Sequence, residues 1–210
     1  MAIGIGLFSG GLDSILAIRV LQEQNIHIEA VTFVTPFFGA EKAREAAARL
    51  SVSLHILDIT EKHFEMLKNP RYGYGKNMNP CIDCHGLMFN QAGELMQKMG
   101  GHFLFSGEVL GERPMSQNKN SLNSVANLSG FANYILRPLS ALLRPETKPE
   151  REGLVDRSML LDIRGRSRKP QIELAARYGI IQYPEPQGAA SLPTLTTASG
   201  SVISFRNPPS

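Results

Sequence analysis

The sequence predicts an α/β domain built on a parallel sheet, and three observations predict it. Short apolar runs alternate with amphipathic helical stretches through the first half of the chain. The first of these runs ends in a glycine turn that opens a helix. The composition is that of a folded chain: of 210 residues, 42% are hydrophobic and 20% charged, both ordinary values for a globular protein. That length holds one domain with a full core, or one domain and a small appendage.

The elements follow in order. Ile3–Ser9 is short, apolar and rich in Ile and Gly, as a buried strand would be. Asp13–Gln24 carries Ile15, Leu16, Ile18, Val20 and Leu21 as a helical stripe. Ile26–Thr35 is β-branched and reads as the second strand, Glu41–Leu50 as an Ala-rich helix, and Leu54–Ile59 as the third strand. Glu61–Lys68 is a helix ending before Pro70. Strands that alternate with helices imply right-handed βαβ units and parallel pairing. Arg71–Asn79 is a Gly-, Tyr- and Asn-rich loop, and a helix starts near Pro80 and runs to Met99, stopped by Gly100-Gly101. His102–Ser106 is the fourth strand, Gly107–Gly130 a polar stretch with short helical pieces, and Tyr134–Leu139 the fifth strand. Pro145–Arg168 is charged and has no clear period, and Gln171–Tyr178 is a short helix.

Several classes are excluded. Two Cys in 210 residues rule out a disulfide-rich scaffold. No apolar run approaches the ~18–20 residues of a membrane span, and Met1–Gly6 has no basic leader. A cytoplasmic protein with no membrane partner is expected. Lys and Arg total 22 against 19 Asp and Glu, a net charge of +3, compatible with a nucleic-acid partner without predicting one.

The strongest motif is Phe8-Ser9-Gly10-Gly11-Leu12-Asp13-Ser14, between the first strand and the first helix. Gly10 and Gly11 let the backbone turn tightly and approach a ligand. The amides of the turn and the helix start make an anion site, to which Ser9 and Ser14 add hydroxyls. Asp13 beside a polyphosphate needs a cation between the two charges, which points to Mg²⁺. An ordinary turn with Asp13 as a helix cap is the plainer reading. The pattern is not the Gly-Lys-Ser/Thr loop of common nucleoside triphosphatases, nor Gly-x-Gly-x-x-Gly.

The second motif is Asn79-Pro80-Cys81-Ile82-Asp83-Cys84-His85. Cys81 and Cys84 share one helix face, and the helix start favours a thiolate at Cys81. Redox, metal-binding and nucleophilic roles are all open, as is a plain structural one. A four-ligand zinc site exceeds what Cys81, Cys84 and His85 supply, and an iron–sulfur cluster wants three or four ligands.

Ser9–Ser14 resembles the pyrophosphate loop of the ATP pyrophosphatase (PP-loop) superfamily, and with Asn-Pro-Cys-x-x-Cys it is similar to the tRNA 2-thiouridylase-like, tRNA thiolation branch. Ser106–Gln117 matches the branch's second ATP-site loop, and Leu136-Arg137-Pro138-Leu139 a later segment. The resemblance covers residues 1–186. It implies a doubly wound, Rossmann-like sheet (adenine nucleotide alpha hydrolase-like) with helices on both faces. It also implies ATP held by Gly6, Leu7, Phe8, Ser9, Gly10, Gly11, Asp13, Ser14, Phe33 and Gly107, with Mg²⁺ through Asp13. The expected chemistry is adenylation of a base carbonyl, release of pyrophosphate, and sulfur transfer, with Asp13, Cys81 and Cys84 as catalytic residues. Cys81 carries a persulfide, or Cys81 and Cys84 hold an iron–sulfur cluster or zinc. The implied partners are tRNA and a sulfur donor protein or sulfide. Two alternatives stand beside it: adenylation of a small carboxylate or amide, and a non-catalytic nucleotide-binding module.

Arg164, Arg166, Arg168 and Lys169 put four cations in six residues, a candidate grip on RNA phosphates or a solvated face. Lys119 reads as a surface lysine, and Tyr72 and Tyr74 as loop residues able to stack on a base. His27, His55, His63 and His102 read as structural. Residues 187–210 are rich in Pro, Ser and Thr and read as a disordered tail. Proteins of the branch usually continue with Gly-Gly-Cys-Leu and Thr-Asp-Pro. Here Gly188-Ala189-Ala190-Ser191-Leu192 stands instead, without that third Cys. Codons read one base back from Ala190 permit Cys-Leu-Pro-Thr-Asp-Pro, so a tail out of frame from Ala189 is expected.

Overall fold

The computed structural model describes residues 1–74, 80–180 and 183. Five parallel strands form one sheet: β1 (Ile3–Leu7), β2 (His27–Val34), β3 (Ser53–Asp58), β4 (Phe103–Ser106) and β5 (Ile135–Leu136). Their order is β3-β2-β1-β4-β5. The chain winds outward from β1 to β3, then returns to lay β4 on the other side of β1. The reversal between β1 and β4 leaves a crevice at the carboxyl ends of these strands, where open α/β sheets bind ligands.

Sequence explains the centre of the sheet. Gly4 and Gly6 of β1 leave the space that the rings of Phe103 and Phe105 fill; a Cβ on Gly6 would lie 2.3 Å from Phe105. Ile5 points to the opposite face and packs with Val31, Leu104 and Phe89. Both faces are therefore covered. One carries α1 (Leu12–Gln22), α2 (Glu41–Leu50) and α7 (Lys169–Arg177); the other carries α4 (Cys81–Met99) and α5 (Lys119–Ser129), with α3 (Thr60–Lys68) packed on α4. This is the doubly wound arrangement expected. No helix among the described residues is long and apolar enough to cross a membrane.

Three expectations are corrected. The polar stretch after β4 holds a continuous helix, α5, because Leu122, Val125 and Ala126 form a buried stripe that outweighs the weak helix propensity of its Asn and Ser. Asn118 caps it, accepting from Ser121 N at 2.9 Å. The fifth strand is only Ile135–Leu136, since a 3₁₀ turn occupies Ala132–Tyr134 and Pro138 follows. A one-turn helix, α6 (Lys148–Arg151), starts on a capping box from Thr147 and Glu150 inside the stretch that showed no period. Asn79, the tail at 187–210 and its reading frame lie outside the described residues.

Candidate active site

Ser9 to Ser14 form the turn from β1 into α1. Gly10 has φ +74°, and a Cβ there would lie 2.4 Å from the carbonyl oxygen of Lys42. Gly11 is the N-cap and offers no side-chain acceptor, so the first amides of α1 are left for a ligand. Ser14 Oγ donates to Gly11 O at 2.8 Å, and Ser9 Oγ lies 3.3 Å from Gly11 N. Gly107, after β4, sits against the start of α1; a Cβ on it would meet the Asp13 carbonyl at 2.4 Å.

A cavity of about 420 Å³ opens over this loop. Leu7, Phe8, Ser9, Asp13, Ser14, Phe33 and Gly107 line it, seven of the ten residues expected to meet ATP. Of the other three, Gly10 and Gly11 belong to the turn itself, whereas Gly6 lies in β1 behind the Phe105 ring. Val31, Phe33, Phe38 and Met88 make part of the wall apolar, which suits a base. The loop amides and hydroxyls at the other end suit phosphates.

Asp13 is the charged centre. Its Oδ2 lies 3.6 Å from Arg168, which also lies 3.8 Å from Glu112. Burial pushes the Asp13 carboxyl above its ordinary range, and Arg168 and Arg113 pull it partly back. Burial and the charge of Asp13 likewise push Glu112 up. Asp13 Oδ1 and Glu112 Oε2 are buried with no hydrogen-bond partner among the described residues. A carboxylate oxygen left bare beside a phosphate loop fits Mg²⁺, which binds through one or two carboxylates and substrate phosphates. Asp13 would hold it.

The structure also joins three motifs that the sequence leaves apart. His85 Nδ1 lies 3.0 Å from Glu108 Oε1. Glu108 Oε2 accepts from Arg137 Nε at 2.9 Å and from Ser106 Oγ at 3.1 Å. Burial alone would raise the Glu108 carboxyl, but Arg137 and then His85 overcome it and hold it well below the usual carboxylate range. His85, Ser106 and Glu108 line the cavity. Of these four, the sequence reading weighed only His85, and that as a third metal ligand beside Cys81 and Cys84. Their signal was present only as separate segments: the residue after Cys84, the loop after β4, and the Arg-Pro-Leu.

Cys81 and Cys84 begin α4 as free thiols, outside the cavity lining but on the turn next to His85. Asp83 between them accepts from the amides of Arg71 and Tyr72. Burial, with Cys81 and Asp83 adding to it, pushes the Cys84 thiol up to about 12. No group of three or more His, Cys, Asp or Glu able to hold a metal occurs among the described residues, and His85 is turned to Glu108. Among the described residues the thiol pair therefore lacks the third protein donor that a zinc or cluster site needs.

The basic run is divided. Gly165 N donates to Leu110 O at 2.8 Å, laying this segment beside the loop after β4. Arg164, Arg166 and Lys169 are exposed, whereas Arg168 turns in to Asp13 and Glu112. His102 accepts from Ile3 N at the foot of β1, His27 and His55 share Glu29, and His63 is buried among aromatic rings.

No family model matches the chain. It is 28% identical over 144 residues to the probable tRNA sulfurtransferase of Staphylococcus aureus strain MRSA252, a match over 63% of this chain and 33% of that protein. The strain Newman protein matches with the same identity and coverage. The chain thus spans about a third of the length of the curated relatives it matches. Among solved structures, a 4-thiouridine synthetase in complex with RNA and bound ATP superposes with a TM-score of 0.55 and 26% identity, over 65% of this chain and 36% of that one. The predicted subunit of a tRNA methyltransferase from Methanocaldococcus jannaschii shares the fold, with a TM-score of 0.51 and 14% identity over 84% and 76% of the two chains. With its glycine turn, its sheet order and these relatives, the chain is similar to the PP-loop ATP pyrophosphatase superfamily and, within it, to the branch that holds the tRNA thiolation enzymes.

Proposed function

We propose that this domain activates a tRNA base with ATP so that sulfur can replace the base's carbonyl oxygen. One juxtaposition supports the reading: α4, which begins with Cys81, adds His85, Met88 and Phe89 to the cavity lined by Ser9, Asp13 and Ser14. The helix that lines the candidate nucleotide cavity thus begins with the thiol pair. The relatives named tRNA sulfurtransferase and the RNA- and ATP-bound 4-thiouridine synthetase point the same way.

In this reading the adenine lies against Phe8 and Phe33, and the β- and γ-phosphates rest on the Ser9–Ser14 turn. Bound Mg²⁺ would neutralise phosphate charge beside Asp13. The base oxygen attacks the α-phosphorus, pyrophosphate leaves into the loop amides, and the oxygen becomes part of AMP, a good leaving group. Sulfide then displaces AMP, or the outer sulfur of a persulfide that a donor protein has formed on Cys81 does so. In the second case the Cys84 thiol attacks the Cys81 sulfur, the S–S bond breaks to free the thiolated base, and the resulting Cys81–Cys84 disulfide is reopened by a dithiol reductant. Arg164, Arg166 and Lys169 contact tRNA phosphates. Conversion of α-labelled ATP to AMP tests the reading. AMP that forms only when tRNA and Mg²⁺ are present is the expected result. AMP formed equally without tRNA would overturn it in favour of a small substrate. Cys81→Ser is expected to leave AMP formation and abolish sulfur incorporation from a donor protein.

A further inference from the structure

His85 lies one helical turn beyond Cys81, on the cavity wall, and the steps above give it no task. Its Nδ1 meets Glu108, which is 7% exposed and already receives Arg137 and Ser106 on its other oxygen. An ionised carboxylate only accepts, so this contact takes the Nδ1–H tautomer. Arg137, 3% exposed, pairs with the Glu108 charge through its other oxygen and holds the carboxylate in place. Nε2 has no protein partner among the described residues. Its charged and titratable neighbours are Glu108, which it contacts, and Arg137 on the other oxygen of Glu108; Cys81, Asp83 and Cys84 share its helix, and Asp13 and Arg113 line the same cavity.

We infer that His85 Nε2 accepts the proton of the base being activated, and that it selects a base with an N–H beside the reacting carbonyl, as in uracil. The inference rests on the thiolation reading. As the carbonyl oxygen forms its bond to the α-phosphorus, the bond from that phosphorus to the β-phosphate oxygen breaks and its electron pair leaves on pyrophosphate. The ring N–H proton passes to Nε2, and the electron pair of that N–H bond becomes the C=N bond of the adenylated base. Cytosine offers a lone pair at this nitrogen, so two acceptors would face each other. Glu108 and Arg137 are positioning residues that fix the tautomer and the ring.

The test uses the full chain, tRNA and α-labelled ATP. His85→Asn keeps a donor toward Glu108 and removes the cavity-facing nitrogen. Its tRNA-dependent kcat is expected to fall by about 10²–10⁴, with the ATP Kd measured without RNA unchanged. ¹⁵N NMR of the wild-type ring is expected to show Nδ1 protonated, and mass spectrometry of digested tRNA to show thiolated uridine. An unimpaired His85→Asn, an Nε2–H tautomer or thiolated cytidine would each overturn the inference and leave the thiolation reading standing. A wild-type chain that forms no AMP with tRNA would overturn both.

Discussion

Gly10 is the residue on which the phosphate loop turns, and two effects oppose its replacement. Its φ of +74° disfavours any side chain, and the atoms a Cβ would strike are the backbone of Lys42 and Ala43 in α2, which cannot swing aside. Gly10→Ala should cost about 1–2 kcal/mol in left-handed strain alone, with the clash added. A lowered urea midpoint together with lost ATP binding is the expected outcome, and full ATP affinity would refute it. Asp13 behaves differently, because its folded pKa is raised. A raised carboxyl binds its proton more tightly in the folded state, so it weakens the fold as pH climbs from the ordinary carboxylate value through the raised one. Above the raised value that penalty is present in full. Asp13→Asn should therefore melt no lower than wild type, and higher if the penalty dominates, while ATP turnover is lost. A clear fall in Tm would show that Asp13 is a structural cap. Gly10 and Asp13 were both legible in the sequence because their chemistry is local to one turn. Glu108 was not, because its partners His85 and Arg137 stand 23 and 29 residues away and meet it only through the sheet order.

At the scale of elements, α4 and α5 pack together more extensively than any other pair of helices. Gly86 and Gly93 of α4 let its surroundings come close: a Cβ on Gly93 would lie 2.2 Å from the Phe131 ring, and one on Gly86 2.7 Å from Leu128. This explains two glycines in a helix interior, where each costs about 1 kcal/mol relative to Ala. Gly93→Val should lose about 1–3 kcal/mol by overpacking, read as a lower urea midpoint. The strongly periodic helices were legible, and so was α4, bracketed by Pro80 and Gly100. α5 was not, since its Asn and Ser favour caps and turns and only burial against α4 makes it a helix. β5 was overread for the complementary reason: Tyr134–Leu139 has strand composition, but pairing with β4 reaches only Leu104 and Phe105. Arg137, which follows β5, ties these elements together. Arg137→Met strips a buried carboxylate of its partner and should cost about 3–5 kcal/mol. The sign with pH follows from the depressed Glu108 value: the pair's contribution is present above the ordinary carboxylate range and is lost as pH falls toward the depressed one. The wild-type fold should therefore lose stability on acidification more steeply than Arg137→Met.

Across the whole molecule, the reversal of strand order between β1 and β4 brings together residues from position 7 to position 117 around one cavity. It also decides the fate of the basic run, which reads as one patch in the sequence. The parallel bridge of Leu110 with Arg164 anchors the segment next to the loop after β4. From there the side chains diverge: Arg168 faces Asp13 and Glu112, and Arg164, Arg166 and Lys169 face solvent. One stretch is therefore divided between two surroundings, and substitution can separate them. Exposed cations that hold RNA phosphates act through counterion release. Neutralising Arg164, Arg166 and Lys169 should therefore weaken tRNA binding and flatten its log–log salt dependence by about 1 for each phosphate no longer held. ATP affinity should not move. Arg168→Gln should do the reverse. It removes the larger of the two cationic offsets to Asp13 and Glu112 and leaves only Arg113 to oppose the repulsion of these two carboxyls beside the turn. ATP binding should become weaker and more dependent on Mg²⁺, which then takes over the neutralisation. The tRNA salt slope should stay as in wild type. If Arg168→Gln instead flattened that slope along with the others, the four cations would form a single RNA-facing surface, and the ion pair with Asp13 would not govern the nucleotide site.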